Sequence, residues 1–169
     1  MSIIRGCEYA SVRCVISSNA DAKGLKYAKD HSIHTCVTNK DNPTVTEDLV
    51  YLIGKLGKPK MIVLAGYMKL LPTSYISFCK AHHIRIVNIH PSLLPKYKGL
   101  NTHERVFEAG DTEHGFTVHD VIDELDAGNI IYQHKFVVRE EDTVETLTDT
   151  VKLREQLLYP SIIDDLVVQ

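Results

Sequence analysis

The sequence predicts an α/β fold, a doubly wound and mostly parallel sheet extended by antiparallel strands. Three observations carry that expectation. β-rich runs alternate with amphipathic stretches from Val12 to Val87, the pattern of parallel strands joined by crossover helices. Met61 to Ala65 is continuously apolar, as a strand covered on both faces requires. Phe116 to Val121 and Ile130 to Val138 alternate instead, which marks antiparallel strands.

Each element has its own signal. Val12 to Ser17 reads as the first strand, closed by Ser18-Asn19-Ala20-Asp21. Lys23 to His31 reads as a helix with Leu25 and Ala28 inward and Asp21 near its start as a cap. Ile33 to Val37 is the second strand, and Asp41-Asn42-Pro43 is a loop. Thr46 opens a helix, because Leu49, Leu52, Ile53 and Leu56 recur at helical spacing, and Gly57-Lys58-Pro59 ends it. Gly66-Tyr67-Met68 follows the third strand, and Pro72 begins a helix carrying Tyr75, Ile76 and Cys79. Ile84 to Val87 is the next strand, and Thr102 to Gly110 is a helix ended by glycine. Val144 to Val167 contains a long amphipathic helix, capped by Asp142 or Thr143 and broken or ended near Pro160. With no repeat, linker or low-complexity segment, residues 1–169 are expected to form one domain.

Bulk properties narrow the function classes. A hydrophobic content of 44% with 24% charged residues is that of an ordinary soluble globule with a real core. A net charge of −3 with scattered basic residues does not favour a nucleic-acid surface. Lys55, Lys58 and Lys60 form the densest basic group and fall at a helix end, where cations complement the dipole. No apolar stretch is long enough to span a bilayer, and Met1 to Arg5 lacks the layout of a secretory signal. Cys7, Cys14, Cys36 and Cys79 show no C-x-x-C spacing, and Cys14 and Cys36 read as buried thiols. A reducing cytoplasm is the simplest compartment, with no membrane and no nucleic acid as partner.

The stretch Val87-Asn88-Ile89-His90-Pro91-Ser92-Leu93-Leu94-Pro95 is the most informative motif. Asn88 and His90 stand two apart at a strand end and so point the same way. Pro91 stops the sheet where these polar groups emerge. An open α/β sheet places chemistry at the carboxyl ends of its strands. Asn88 can donate to a developing oxyanion, and His90 can move a proton near neutral pH. Three further features stand downstream. His119 lies on a late strand, Asp123-Glu124-Leu125-Asp126-Ala127-Gly128 is an acidic loop, and Lys152 with Glu155 sits in the last helix. Taken singly, His119 also fits a core histidine, the acidic loop a solvated turn, and Glu155 an exposed helix charge. His82, His83, His114 and His119 have no metal-ligand spacing, so no metal is expected.

Together these residues resemble the folate-dependent phosphoribosylglycinamide formyltransferases. The resemblance rests on Asn88 through Gly99, Glu113-His114-Gly115 and Asp123 through Gly128. Ser18-Asn19-Ala20-Asp21-Ala22, Ala65-Gly66-Tyr67-Met68-Lys69, Thr102-His103 and Glu155 with Tyr159-Pro160 support it in order and spacing. It runs from about Val12 to about Ile163 and implies the formyltransferase fold. It implies transfer of a formyl group from 10-formyltetrahydrofolate, the co-substrate, to the amine of glycinamide ribonucleotide in purine synthesis. Asn88, His90 and Asp126 would be catalytic. Tyr67, Met68, Lys69, Leu70, Leu71, Asp123 and Glu124 would line the folate cleft. Pro91, His119, Lys152 and Glu155 would face the nucleotide substrate. The chemistry is coherent, because amine attack on a formyl carbon builds an oxyanion that needs donors and displaces protons that need a carrier. A carboxylate beside an imidazole favours imidazolium, which suits Asp126. The resemblance also leaves room for a homodimer.

The opening of the chain departs from that family. No Gly-x-Gly turn precedes Ile3-Ile4, and Met1 falls inside what would be the family's first helix. The chain is therefore expected to be truncated at the N-terminus, without the first strand and the phosphate-binding turn. Two alternatives follow, a formyltetrahydrofolate hydrolase using water as acceptor and a non-catalytic folate-binding remnant.

Overall fold

A computed structural model describes residues 2–38 and 45–169, so the expected loop at Asp41-Asn42-Pro43 lies outside the described residues. The chain forms two compact units. The first comprises Met1–Lys60, Pro72–Ile84 and Tyr159–Gln169; the second comprises Met61–Leu71 and Arg85–Leu158.

In the first unit, α1 (Ser2–Gly6) is followed by β1 (Cys14–Ser17), α2 (Lys23–Asp30), β2 (His34–Val37) and α3 (Val45–Leu56). α4 (Thr73–Ala81) and the end of α6 (Val144–Val168) complete it. β1 and β2 pair in parallel, with Cys14 opposite His34 and Ser17 opposite Val37. Leu25 and Ala28 of α2 are buried as their spacing predicts. Asp21 does not cap that helix. Ala22 occupies the N-cap without a side-chain bond, and the Asp21 N–H is held by Asn19 Oδ1 at 3.0 Å. Asn19 thus forms an Asx turn after β1, and the helix begins beyond Asp21. Cys14 and Cys36 are half-buried rather than buried, because β1 and β2 pair only with each other among the described strands. Even so, burial pushes both thiols above their ordinary range, and Cys36 beside it adds to the rise at Cys14.

Pro160 neither breaks nor ends the last helix, contrary to expectation; α6 runs through it to Val168. The missing N–H costs one helical bond. Burial of the ring offsets it. Gly6 lies so near that a Cβ there would come within 2.8 Å of the proline ring carbons. Asp164, one turn later, accepts the backbone N–H groups of Glu8, Tyr9 and Ala10 at 2.6, 3.0 and 2.7 Å. The chain after α1 is therefore fastened by a carboxylate that takes three donors.

The second unit carries the mixed sheet. β3 (Met61–Leu64), β4 (Arg85–His90), β5 (Glu113–Asp120) and β6 (Ile130–Val137) lie in that order, with α5 (Thr102–Glu108) between β4 and β5 in sequence. β3 and β4 are parallel; β4–β5 and β5–β6 are antiparallel. β3 is only half-buried, less than its apolar run predicts, because it is an edge among the described strands. β4 extends past the apolar run to His90, since Asn88 and His90 find ladder partners in His119 and Thr117. Ile86, Val87, Ile89, Val106, Phe116, Val118, Leu147 and Val151 are buried and form the core of this unit. Thr143 caps α6 by accepting the Thr146 N–H at 3.2 Å, while Asp142 accepts the Thr146 hydroxyl. Among the described residues no helix is long and apolar enough to cross a membrane.

Candidate active site

The register of β4 against β5 builds the site. Asn88 faces His119 and His90 faces Thr117 across the antiparallel ladder. Side chains two apart share a face, so two polar pairs stand side by side on one side of the sheet. His90 and His119 are 5% and 2% exposed, so every polar atom there needs a partner.

Those partners fix the protonation pattern. His90 Nε2 lies 2.9 Å from the Tyr97 carbonyl oxygen. A carbonyl only accepts, so Nε2 carries the proton and Nδ1 is left to face Asp126 Oδ2 at 3.4 Å. His119 Nδ1 donates to the Asp120 carbonyl at 2.8 Å, which leaves Nε2 to accept from Asn88 Nδ2 at 3.2 Å. Burial holds the His119 imidazole below its ordinary range, and the neutral ring suits that accepting role. Asn88 is thereby oriented with its amide nitrogen toward His119 and one amide hydrogen still to give.

Asp126 reaches this cluster from the β5–β6 loop. Its backbone is left-handed at φ 49°. Gly128 makes the turn possible, since a Cβ there would clash with the Asp120 carbonyl oxygen. Asp126 Oδ2 accepts the Gly99 N–H at 2.8 Å, and Oδ1 lies 3.6 Å from His119 Nε2. The carboxylate, 9% exposed, thus takes one backbone donor and stands close to both imidazoles.

The loop from Pro91 to Gly99 is held by residues that the sequence does not single out. Thr117 Oγ1 donates to the Ser92 carbonyl at 2.6 Å and accepts the Leu94 N–H at 3.0 Å. Gln133 Nε2 donates to both Leu94 O and Thr117 Oγ1. Ser92 Oγ donates to Lys96 O at 2.8 Å. Thr117 lies two residues before His119, so the strand period alone could have flagged it; Gln133 offers no such signal.

The remaining expected residues fall into two groups. Tyr67 is half-buried, and burial raises its hydroxyl above the ordinary range. Met68 and Leu70 are 81% and 69% exposed, Lys69 is exposed and Leu71 is half-buried. Asp123 and Glu124 are exposed, and Glu124 pairs with Lys98 Nζ at 3.1 Å. Pro91 is half-buried directly after β4. On α6, Lys152 is exposed, and one turn later the half-buried Glu155 has its carboxyl pushed up to about 7 by burial, with Lys152 opposing the shift. His103 and His114 pair at 2.9 Å, and burial with the neighbouring ring lowers His114 to about 4. A cleft of about 330 Å³ is lined by Lys96, Tyr97, Asp111 and His114, among others, and by none of Asn88, His90 or Asp126. Among the described residues no group of three or more His, Cys, Asp or Glu could hold a metal ion.

A half-buried amide beside a buried imidazole and a buried carboxylate has the groups for acid–base chemistry with an oxyanion donor. The family model for formyl transferases matches residues 2–163, and the chain belongs to that family. It is 43% identical over 157 residues to phosphoribosylglycinamide formyltransferase of Haemophilus influenzae, covering 91% of this chain and 73% of that protein. The enzyme of the same name from Escherichia coli is 40% identical over 157 residues, covering 90% and 72%. The crystal structure of phosphoribosylglycinamide formyltransferase from Bacillus halodurans superposes with a TM-score of 0.86 at 33% identity, covering 98% of this chain and 88% of that one.

Proposed function

We propose that the chain transfers the formyl group of 10-formyltetrahydrofolate to the primary amine of glycinamide ribonucleotide. The observation that carries this reading is the convergence of half-buried Asn88 with buried His90 and Asp126, with one nitrogen of His90 committed to Tyr97 and the other facing the carboxylate. The similarity to the Haemophilus and Escherichia enzymes supplies the substrates.

The reaction forms a bond between the substrate amine and the formyl carbon, and then breaks the bond from that carbon to the folate nitrogen. The tetrahedral intermediate places a negative charge on the formyl oxygen. Asn88 donates its remaining amide hydrogen to that oxygen, and its orientation is preset by His119, so no reorganisation is needed as charge develops. The amine must lose a proton and the leaving nitrogen must gain one. His90 Nδ1 and Asp126 form the proton-handling pair, because Nε2 is already occupied by the Tyr97 carbonyl. Tyr67 to Leu71 with Asp123 and Glu124 hold the folate, with Met68 and Leu70 as apolar walls. Pro91, His119, Lys152 and Glu155 lie toward the nucleotide. A half-buried Glu155 that titrates near 7 can accept from the ribose hydroxyls or the amine. A cytoplasmic location and a homodimer belong to the same reading.

Replacing His90 by Ala, or Asn88 by Ala, tests the assignment. Transfer is lost while folate affinity stays within roughly tenfold, about 1.4 kcal/mol. Near-normal turnover in either well-folded variant overturns it.

A further inference from the structure

We propose that Asp111, in the turn between α5 and β5, is a positioning residue that holds His90 in its Nε2–H tautomer through Tyr97. The proposal rests on the assignment of His90 as the proton carrier and adds a residue remote from the reacting atoms.

The chain of contacts is short. Asp111 Oδ2 accepts from the Tyr97 hydroxyl at 2.9 Å and from Lys96 Nζ at 2.9 Å. Both partners belong to the loop whose next peptide faces the site. The Tyr97 carbonyl takes the Nε2–H of His90 at 2.9 Å. To aim that carbonyl, Tyr97 adopts φ 55°, a left-handed conformation that residues with side chains rarely hold unaided. Two hydrogen bonds to one carboxylate, one of them from an ammonium, are the strong kind that can hold it there. Asp111 stays ionised, since the hydrogen bonds from Lys96 and Tyr97 keep its carboxyl below the usual range. Arg105 works in the same direction. Its guanidinium lies 5.2 Å from the Tyr97 ring centroid and donates to the Lys98 carbonyl at 2.7 Å.

The consequence is a choice of nitrogen. A neutral imidazole carries one proton, and its place is set by the acceptor at hand. With the Tyr97 carbonyl in place, Nε2 keeps its proton, and Nδ1, steadied by Asp126, is the nitrogen left to take the substrate's proton. If the carbonyl swings away, the Asp126 carboxylate attracts the proton to Nδ1. The imidazole then enters the reaction with its basic nitrogen turned from the reacting atoms.

The test reads His90 directly. Nitrogen-15 NMR of the histidine rings, on the full chain without substrate, reports which ring nitrogen is protonated. In the parent chain His90 shows the Nε2–H signature. In Asp111→Ala and in the milder Tyr97→Phe, which keeps the ring and its Arg105 contact, that signature gives way to a mixture of tautomers. Asp111→Asn retains an acceptor for the Tyr97 hydroxyl and restores most of it. In steady-state assays Asp111→Ala lowers kcat about tenfold with KM within about twofold, and causes no further loss in a His90→Ala background. An unchanged His90 signature in both folded variants overturns the proposal, whatever the activity. A parent chain with the expected signature but no formyl transfer sinks the functional reading and leaves this inference standing.

Discussion

Thr117→Val removes one buried hydroxyl and keeps the shape, so it isolates the fastening of the loop before the site. Thr117 is fully buried, and its Oγ1 serves Ser92 O, Leu94 N–H and Gln133 Nε2 at 2.6, 3.0 and 2.9 Å. Gln133 keeps Leu94 O at 2.8 Å as an acceptor, so its amide is not stranded. Leu94 N–H and Ser92 C=O lose this partner in residues that are 5% and 0% exposed. Each stranded buried group costs about 1–3 kcal/mol, giving a loss of about 2–6 kcal/mol. For a chain of this size each kcal/mol moves the midpoint by about 2–4 °C, so a fall of about 10 °C is expected. Thr117→Ser keeps the hydroxyl and loses a methyl group, about 1 kcal/mol. Urea unfolding with calorimetry on the three proteins decides the matter. If the valine variant lies within about 0.5 kcal/mol of the parent, or the serine variant is the less stable of the two, the hydroxyl is not what holds the loop.

Other expectations follow from single contacts. Gly128→Ala places a Cβ against the Asp120 carbonyl and should both destabilise the chain by about 2 kcal/mol or more and displace Asp126 from Gly99; a variant with parent-like melting and turnover would show that the loop has slack. Glu155→Gln probes a carboxyl whose folded value near 7 exceeds its unfolded value of 4.5. The folded state then binds more protons between those values, so stability falls as pH rises through that window. The glutamine variant should gain relative stability at pH 8 and none at pH 4, read from paired melting curves. His114 has the opposite sign. Its folded value near 4 lies below the unfolded 6.5, so its contribution is present above pH 6.5 and is lost as pH falls toward 4. His114→Gln should flatten the acid side of the stability profile, and an unaltered acid limb would contradict the assignment.

The sequence carries the strand-and-helix order well where apolar spacing is regular. Leu25 and Ala28 announce the buried face of α2, and Tyr75 and Cys79 that of α4. Local chemistry misleads where a nearby group competes. Asp21 has the composition of a cap, yet the helix starts one residue later, with Ala22 at the N-cap and no side-chain bond. Pro160 has the composition of a break, yet the room left by Gly6 keeps it inside the helix. In the site, Asn88 and His90 are visible as a pair because strand period 2 puts both on one face. Their partners are not visible in the same way. The register of β4 on β5, which sets His119 opposite Asn88, depends on pairing between segments some thirty residues apart. The acceptor for His90 is the Tyr97 carbonyl, a backbone atom that no residue type can announce.

Formyl transfer itself can be read by following the formyl carbon. The chain is mixed with 10-formyltetrahydrofolate labelled with carbon-13 at the formyl group and with glycinamide ribonucleotide, and the label is followed by NMR. The label is expected on the ribonucleotide amine, at a rate that vanishes in His90→Ala. Label released as formate, or retained on bound folate while the amine stays unmodified, would contradict it.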